Sequence, residues 1–119
     1  MEIKIEKTKN TPLVILDSDN KSLKFEGRSF PEHPISFYSN IMDLIKSNYK
    51  TDSLEIIMEF DYINTSSAKC ILNMLKELKI MFKYISVIWI SEEDDEDTIE
   101  IGNIFCDISK IPFTFKEVI

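Results

Sequence analysis

Apolar residues near the start of the chain form two short runs separated by a turn. The first run, residues 12–16, is continuously apolar and is followed by the turn-forming cluster at residues 17–20. The second run, residues 22–27, alternates polar and apolar positions with a period of two. These patterns predict an antiparallel hairpin, with its first strand more buried than its second and Gly27 at its end.

Further along the chain, apolar runs alternate with segments of helical spacing. Helices are predicted at residues 35–49 and 68–82 and around residues 101–108, and strands at residues 54–60, 85–90 and 112–116. The strand at 54–60 has few polar positions, which predicts cover on both of its faces. The order β-β-α-β-α-β-α-β predicts an α/β domain with a mixed sheet of about five strands and about three helices, placed on the sheet faces by right-handed crossovers.

Composition indicates one compact domain over residues 1–119. The chain is 44% hydrophobic with 2 glycines, and its formal charge is −7. Six of its acids are consecutive at residues 92–97 and no basic stripe occurs, which argues against nucleic-acid binding. The first residues lack a secretory apolar segment and no run is long enough to span a membrane, so we expect a soluble, cytoplasmic protein. Cys70 and Cys106 are then expected to be reduced.

The segment Asn64-Thr65-Ser66-Ser67-Ala68-Lys69 lies where the strand-like run 54–63 gives way to a helical pattern. A loop of small hydroxylated residues is thereby predicted at a helix N-terminus, where backbone N–H groups lack partners. One interpretation is that Thr65 or Ser66 is the N-cap. The other is an anion-binding or modifiable site, because capping needs one hydroxyl and three occur in a row, followed by Lys69 rather than an acid.

The acidic run 92–97 also has two interpretations. Calcium or magnesium binding is one, but an EF-hand loop needs a glycine at its sixth position and none occurs before Gly102. A solvated loop whose carboxylates cap the following helix is the other.

His33 lies in a proline-containing loop and is interpreted as structural. The sequence contains no recognisable catalytic, phosphate-loop or metal motif, so we expect neither an enzyme nor a cofactor.

Four short motifs together resemble one bacterial protein family. They are Thr11-Pro12, Gly27 with Ser29-Phe30-Pro31-Glu32, Phe60-Asp61-Tyr62-Ile63-Asn64-Thr65-Ser66-Ser67, and Pro112-Phe113. In this order, over nearly the whole chain, they resemble the SiaC-type regulatory phosphoproteins, which are similar in fold to the STAS anti-sigma-factor antagonists. Asn-Thr-Ser-Ser is the most specific element.

The resemblance implies a partner switch rather than an enzyme. In that family a dedicated Ser/Thr kinase phosphorylates the threonine of Asn-Thr-Ser-Ser and a PP2C-like phosphatase restores it. The unmodified form engages a target such as a diguanylate cyclase. Carried over, Thr65 is the phosphoacceptor, and Asn64, Ser66, Ser67 and Lys69 join it in the partner-binding surface. The alternative that the residues leave open is a small ligand- or metal-binding module using the acidic loop 92–97.

Phosphate chemistry is compatible with such a switch. A phosphate on Thr65 would add about −1.5 to −2 charges at neutral pH. A helix N-terminus can accept that charge through its N–H groups, and Lys69 is near in sequence. A partner packed on the same residues could not, because its contact would acquire buried charge. We therefore expect phosphorylation to act on the interface and leave the domain folded.

Overall fold

The computed structural model describes residues 1–119 and contains six strands and three helices. Along the chain they are β1 (Glu2–Ile5), β2 (Leu13–Asp17), β3 (Ser22–Ser29), α1 (Pro34–Asn48), β4 (Ser53–Ile63), α2 (Thr65–Met81), β5 (Tyr84–Glu92), α3 (Glu96–Ser109) and β6 (Phe113–Val118). The predicted mixed α/β domain with three helices is confirmed. The sheet has one strand more than predicted, the short β1.

The six strands are neighbours in chain order, from β1 to β6. β1, β2 and β3 pair antiparallel, whereas β3, β4, β5 and β6 are parallel and are joined by the three helices. Right-handed crossovers that all step in the same direction place every helix on the same face of the sheet. α2 accordingly packs between α1 and α3.

The predicted cover on both faces of β4 is therefore wrong. Along β4, Leu54, Ile56 and Met58 are buried beneath the helices, whereas Glu55 is exposed and Ile57 half-buried on the opposite face. β2 alternates in the same way, so the first hairpin strand is not more buried than the second. A strand with apolar residues on both faces looks the same in sequence whether its second face is covered or only partly shielded by neighbouring side chains.

The core lies between the sheet and its single layer of helices. Its largest fully buried members are apolar side chains from both layers: Trp89, Phe25, Leu16, Leu23, Ile41, Ile45, Ile56, Met58, Ile71, Leu75, Leu78 and Ile111. Burial of one such side chain contributes roughly 1.5–3 kcal/mol. The helical layer is thus held to the sheet all along the apolar stripe of each helix.

Two boundaries differ from the sequence-based prediction in ways that concern the site. β3 continues past Gly27 to Ser29, and the register with β4 shifts at Gly27, whose φ is +118°. Glycine adopts such a φ without the steric penalty that other residues incur. α2 begins at Thr65 instead of Ala68, so the hydroxylated residues form its first turn and are not a loop.

Candidate functional site

The N-termini of α1, α2 and α3 lie along one edge of the sheet. Each helix follows a parallel strand, β3, β4 or β5, and the carboxyl ends of parallel strands share an edge. At this edge β4 ends at Ile63 and α2 begins at Thr65, with one residue between them. The hydroxylated segment therefore occupies the middle of a row of three positive helix ends.

Asn64 is the N-cap of α2. Its backbone is extended, with φ −82° and ψ 169°, and its Oδ1 accepts a hydrogen bond of 2.9 Å from the Ser67 N–H. Its carbonyl oxygen accepts the first helical bond, also 2.9 Å, from the Ala68 N–H. The interpretation of Thr65 or Ser66 as the N-cap is therefore wrong, because the amide of Asn64 already performs the capping.

Thr65 and Ser66 occupy the first two helical positions and are exposed. Neither hydroxyl forms a hydrogen bond with the rest of the chain, and their two backbone N–H groups precede Ala68, whose N–H is the first helical donor. Two hydroxyls and two N–H groups are consequently available to solvent at the positive end of α2. This arrangement can present a hydroxyl to an enzyme and can accept negative charge afterwards.

Ser67 differs from its two neighbours because it is fully buried. Two helical positions after Thr65 the side chain points about 200° around the helix axis, which is toward the sheet. Its Oγ lies 2.9 Å from Oγ of Ser29, and Oγ of Ser29 lies 2.5 Å from the hydroxyl of Tyr38. The inclusion of Ser67 in a partner-contact surface is therefore wrong, since no partner can reach it in the folded domain.

Lys69 lies one helical turn after Thr65 on the same face of α2 and is exposed. Its ammonium group forms no ion pair with an Asp or Glu side chain; the four ion pairs of the chain involve other residues. Lys69 is therefore the cation that the structure offers to a negative group on Thr65.

Two exposed apolar residues at this edge were not identified from the sequence. Tyr62, which is 52% exposed, packs edge-on against Phe30 with the ring centroids 5.8 Å apart. Ile35, 74% exposed, lies at the start of α1. The register shift pairs Arg28 with Tyr62 and leaves Asp61 unmatched, which turns Tyr62 outward. Gly27 was the available sequence signal for this bulge.

A groove of about 350 Å³ between α1 and α2 begins at Ile35. Its walls include Met42 of α1 and Cys70 and Met74 of α2, and an ion pair of 2.7 Å between Lys46 and Glu77 crosses the two helices. Cys70 and Cys106 are both free and half-buried. Burial raises the pKa of Cys70, which keeps this thiol protonated.

The acidic run serves the N-terminus of α3. Asp95 is the N-cap; its Oδ1 accepts from the Thr98 N–H at 3.1 Å and its Oδ2 from the Thr98 hydroxyl at 2.7 Å. Glu96 and Asp97 occupy the first turn, where negative charge is favourable. The helix-capping interpretation is confirmed. No three carboxylate, thiol or imidazole groups converge in a geometry that could hold a metal ion. None of the three helices combines the length and the apolar surface that a membrane span requires.

The fold and the site define a small α/β domain that presents two exposed hydroxyl groups at a helix N-terminus. Residues 5–118 match the family model described as SiaC family regulatory phosphoprotein. The chain belongs to the SiaC family. Because the family consists of regulatory phosphoproteins, the chain is a signalling protein and not an enzyme.

Relatives from Pseudomonas aeruginosa cover nearly the whole chain. An uncharacterized protein of strain UCBPP-PA14 is 26% identical over 121 residues, which is 97% of this chain and 95% of that protein. The crystal structure of apo-SiaC matches with a TM-score of 0.79 and 24% identity, covering 98% of both chains. A chain in the crystal structure of the diguanylate cyclase SiaD in complex with its activator SiaC matches with a TM-score of 0.86 and 23% identity, covering 98% of this chain and 99% of that one. These structures share the fold described above.

Proposed function

We propose that this chain is a partner-switching protein controlled by reversible phosphorylation of Thr65. A Ser/Thr kinase adds the phosphate, a PP2C-like phosphatase removes it, and the unphosphorylated form binds a diguanylate cyclase. One observation carries the proposal. Asn64 caps α2, so the exposed Thr65 hydroxyl forms no hydrogen bond that the fold needs. Because the phosphate donor is ATP, the proposed pathway is cytoplasmic.

The first turn of α2 can carry a phosphate without unfolding. Phosphate on Thr65 adds about −1.5 to −2 charges at neutral pH. The N–H groups of Thr65 and Ser66 and the helix dipole favour negative charge at this position, by about 0.3–1 kcal/mol for a single exposed charge. Lys69, one turn away and without a carboxylate partner, adds a cation on the same face. The domain therefore stays folded in both states, and the change is confined to its surface.

The same charge is unfavourable for a partner that covers this edge. Tyr62 and Ile35 provide exposed apolar area beside the hydroxylated turn, and an aromatic residue of this kind is a common anchor in protein interfaces. Together with Asn64, Thr65, Ser66 and Lys69 they form the proposed contact surface. A phosphate at its centre would have to be desolvated on binding, which weakens the complex. The complex of SiaD with its activator SiaC supports a cyclase as the partner.

The proposal is tested by phosphorylating the purified chain with the kinase of its pathway, Mg²⁺ and ATP. Intact mass spectrometry is expected to show one added phosphate, and peptide mapping is expected to place it on Thr65. Thr65→Ala should abolish the modification. Ser66→Ala is the matched control, because it removes the neighbouring exposed hydroxyl, and it should be phosphorylated normally. A phosphate that maps to Ser66 or to a distant residue contradicts the assignment.

Partner binding provides the second half of the test. Titration calorimetry with the cyclase should detect binding of the unmodified chain and a much weaker interaction after stoichiometric phosphorylation. Treatment with the PP2C-like phosphatase should restore binding. Equal affinity of the two forms would contradict the switch even if Thr65 carries the phosphate.

A further inference from the structure

Ser29 holds the first turn of α2 at both of its ends. Its backbone carbonyl accepts a hydrogen bond of 3.1 Å from the Asn64 N–H, and its hydroxyl donates a bond of 2.9 Å to Oγ of Ser67. Thr65 and Ser66 lie between these two anchored residues. Asn64 and Ser67 are also linked to each other through the N-cap bond of 2.9 Å. The phosphoacceptor thus belongs to a turn fixed at both ends to the last residue of β3.

Tyr38 of α1 completes a chain of three buried hydroxyls. Ser29 and Ser67 are fully buried and Tyr38 is nearly so. Since Ser29 donates its proton to Ser67, the proton between Tyr38 and Ser29 comes from Tyr38. Burial raises the pKa of the Tyr38 phenol, which keeps this donor protonated. The chain Tyr38–Ser29–Ser67 joins α1, β3 and α2 below the surface that carries Thr65.

We propose that Tyr38, Ser29 and Ser67 are positioning residues for the modification of Thr65. They hold the turn from Asn64 to Ser67 in a single conformation, so that the kinase and the phosphatase meet Thr65 as a folded helix terminus and not as a flexible peptide. The inference deepens the proposed function and rests on it. None of the three residues touches the transferred phosphate; their effect on the reaction comes from fixing the backbone on either side of Thr65.

The physical reason is that helix termini usually fray, whereas this one cannot open without breaking buried hydrogen bonds. Opening the first turn would break the bond from Ser29 to Ser67 and leave the buried Ser29 hydroxyl without an acceptor for its proton. Enzymatic transfer depends strongly on the placement of the attacking oxygen, because orientation that is present before binding lowers the barrier. A fixed turn therefore makes Thr65 a better substrate than the same residue in a mobile segment.

Amide hydrogen exchange tests the positioning role without any enzyme. The informative probes are three N–H groups: that of Asn64, which donates to the Ser29 carbonyl, and those of Ser67 and Ala68, which donate to Asn64. Ser67→Ala removes the buried acceptor, and we expect these three amides to exchange about fivefold to tenfold faster, the factor that corresponds to one lost hydrogen bond. Tyr38→Phe keeps the ring and removes only the hydroxyl that donates to Ser29. It should give a smaller increase in the exchange rates.

Two controls separate positioning from general destabilisation. Ser66→Ala removes an exposed hydroxyl that forms no bond within the chain and should leave the exchange rates unchanged. Ile56→Val trims the core of β4, away from the hydroxyl chain, and lowers global stability to a degree comparable with a lost hydrogen bond. It should not accelerate exchange at the turn selectively. The inference is wrong if Ser67→Ala leaves the three amides unchanged or if Ile56→Val accelerates them equally.

Kinase kinetics on the same variants provide the second readout. We expect kcat/KM for Thr65 phosphorylation to fall about fivefold to tenfold in Ser67→Ala and less in Tyr38→Phe. Ile56→Val should match the wild-type chain, because Ile56 is a buried core residue outside the contact surface, and a synthetic peptide of residues 58–72 should be a far poorer substrate. If the wild-type chain accepts no phosphate, the proposed function fails and the positioning role fails with it, while the exchange rates still show whether the three hydroxyls fix the turn. If all variants and the peptide are phosphorylated equally well, the inference fails while the proposed function stands.

Discussion

Replacing Thr65 with aspartate places a negative charge at the first position of α2 without removing a hydrogen bond. The Thr65 side chain is exposed and its hydroxyl forms no bond within the chain, whereas the neighbouring Asn64 supplies the N-cap bond. Thr65→Asp should therefore alter binding and preserve stability. Asn64→Ala should instead destabilise the fold, because the Ser67 N–H loses its acceptor.

The expected magnitudes follow from these positions. A carboxylate near a helix N-terminus gains about 0.3–1 kcal/mol, and loss of an asparagine N-cap costs about 1 kcal/mol. With an unfolding entropy of about 2.1 cal/mol/K per residue, 1 kcal/mol corresponds to roughly 4 °C in Tm for a chain of this length. Calorimetry should then show a rise of about 1–4 °C for Thr65→Asp and a fall of about 4 °C for Asn64→Ala.

Binding to the cyclase is measured on the same preparations. A carboxylate that must be desolvated at the interface should weaken binding about 30-fold or more, which corresponds to about 2 kcal/mol. Thr65→Val is the matched control, because it has the shape of threonine without the hydroxyl or a charge, and it should bind nearly as well as the wild-type chain.

Three results would refute this reasoning. A loss of several degrees in Thr65→Asp would mean that the threonine hydroxyl stabilises the fold. Unchanged binding of Thr65→Asp would mean that this edge does not contact the cyclase. Equal weakening by Thr65→Val and Thr65→Asp would mean that the partner recognises the hydroxyl itself, so that charge is not the signal.

Two further predictions concern the core and its buried phenols. Gly102→Ala should lower Tm by about 4–12 °C and alter the fluorescence of Trp89. A Cβ at this position would lie 2.5 Å from Trp89 Nε1, and overpacking costs about 1–3 kcal/mol. Asn103→Ala, at the exposed neighbouring position, should change neither Tm nor fluorescence. Burial raises the pKa of Tyr49 to about 12 and that of Tyr38 further. Above about pH 10 these phenols ionise in the unfolded chain before they ionise in the folded one. The free energy of unfolding should therefore fall as pH rises, by up to about 1.4 kcal/mol per pH unit for each phenol. Tyr49→Phe should make this fall, measured by denaturant titration at several pH values, less steep.

The position of the site was largely readable from local pattern. The strand-like run before Asn64 and the helical spacing after it placed hydroxyl groups at the start of a helix, and the motif Asn-Thr-Ser-Ser supported the family resemblance that the family model confirms. The spacing of apolar residues likewise predicted the three helices and every strand except β1. β1 has only Ile3 and Ile5 as apolar positions, and it depends on pairing with β2.

The sequence by itself determined which segments form strands and helices. Each element must bury its own apolar face, and the spacing of its apolar residues shows that face. Only the tertiary structure decided that all helices cover one side of the sheet, since this depends on the order of strands in space. It also decided which hydroxyl of the motif is exposed. Ser67 is buried because Ser29, 38 residues away, and Tyr38 lie beneath it. Thr65 faces solvent because Asn64 and Ser67 anchor the turn around it, and bonds between residues distant in sequence leave no trace in local spacing.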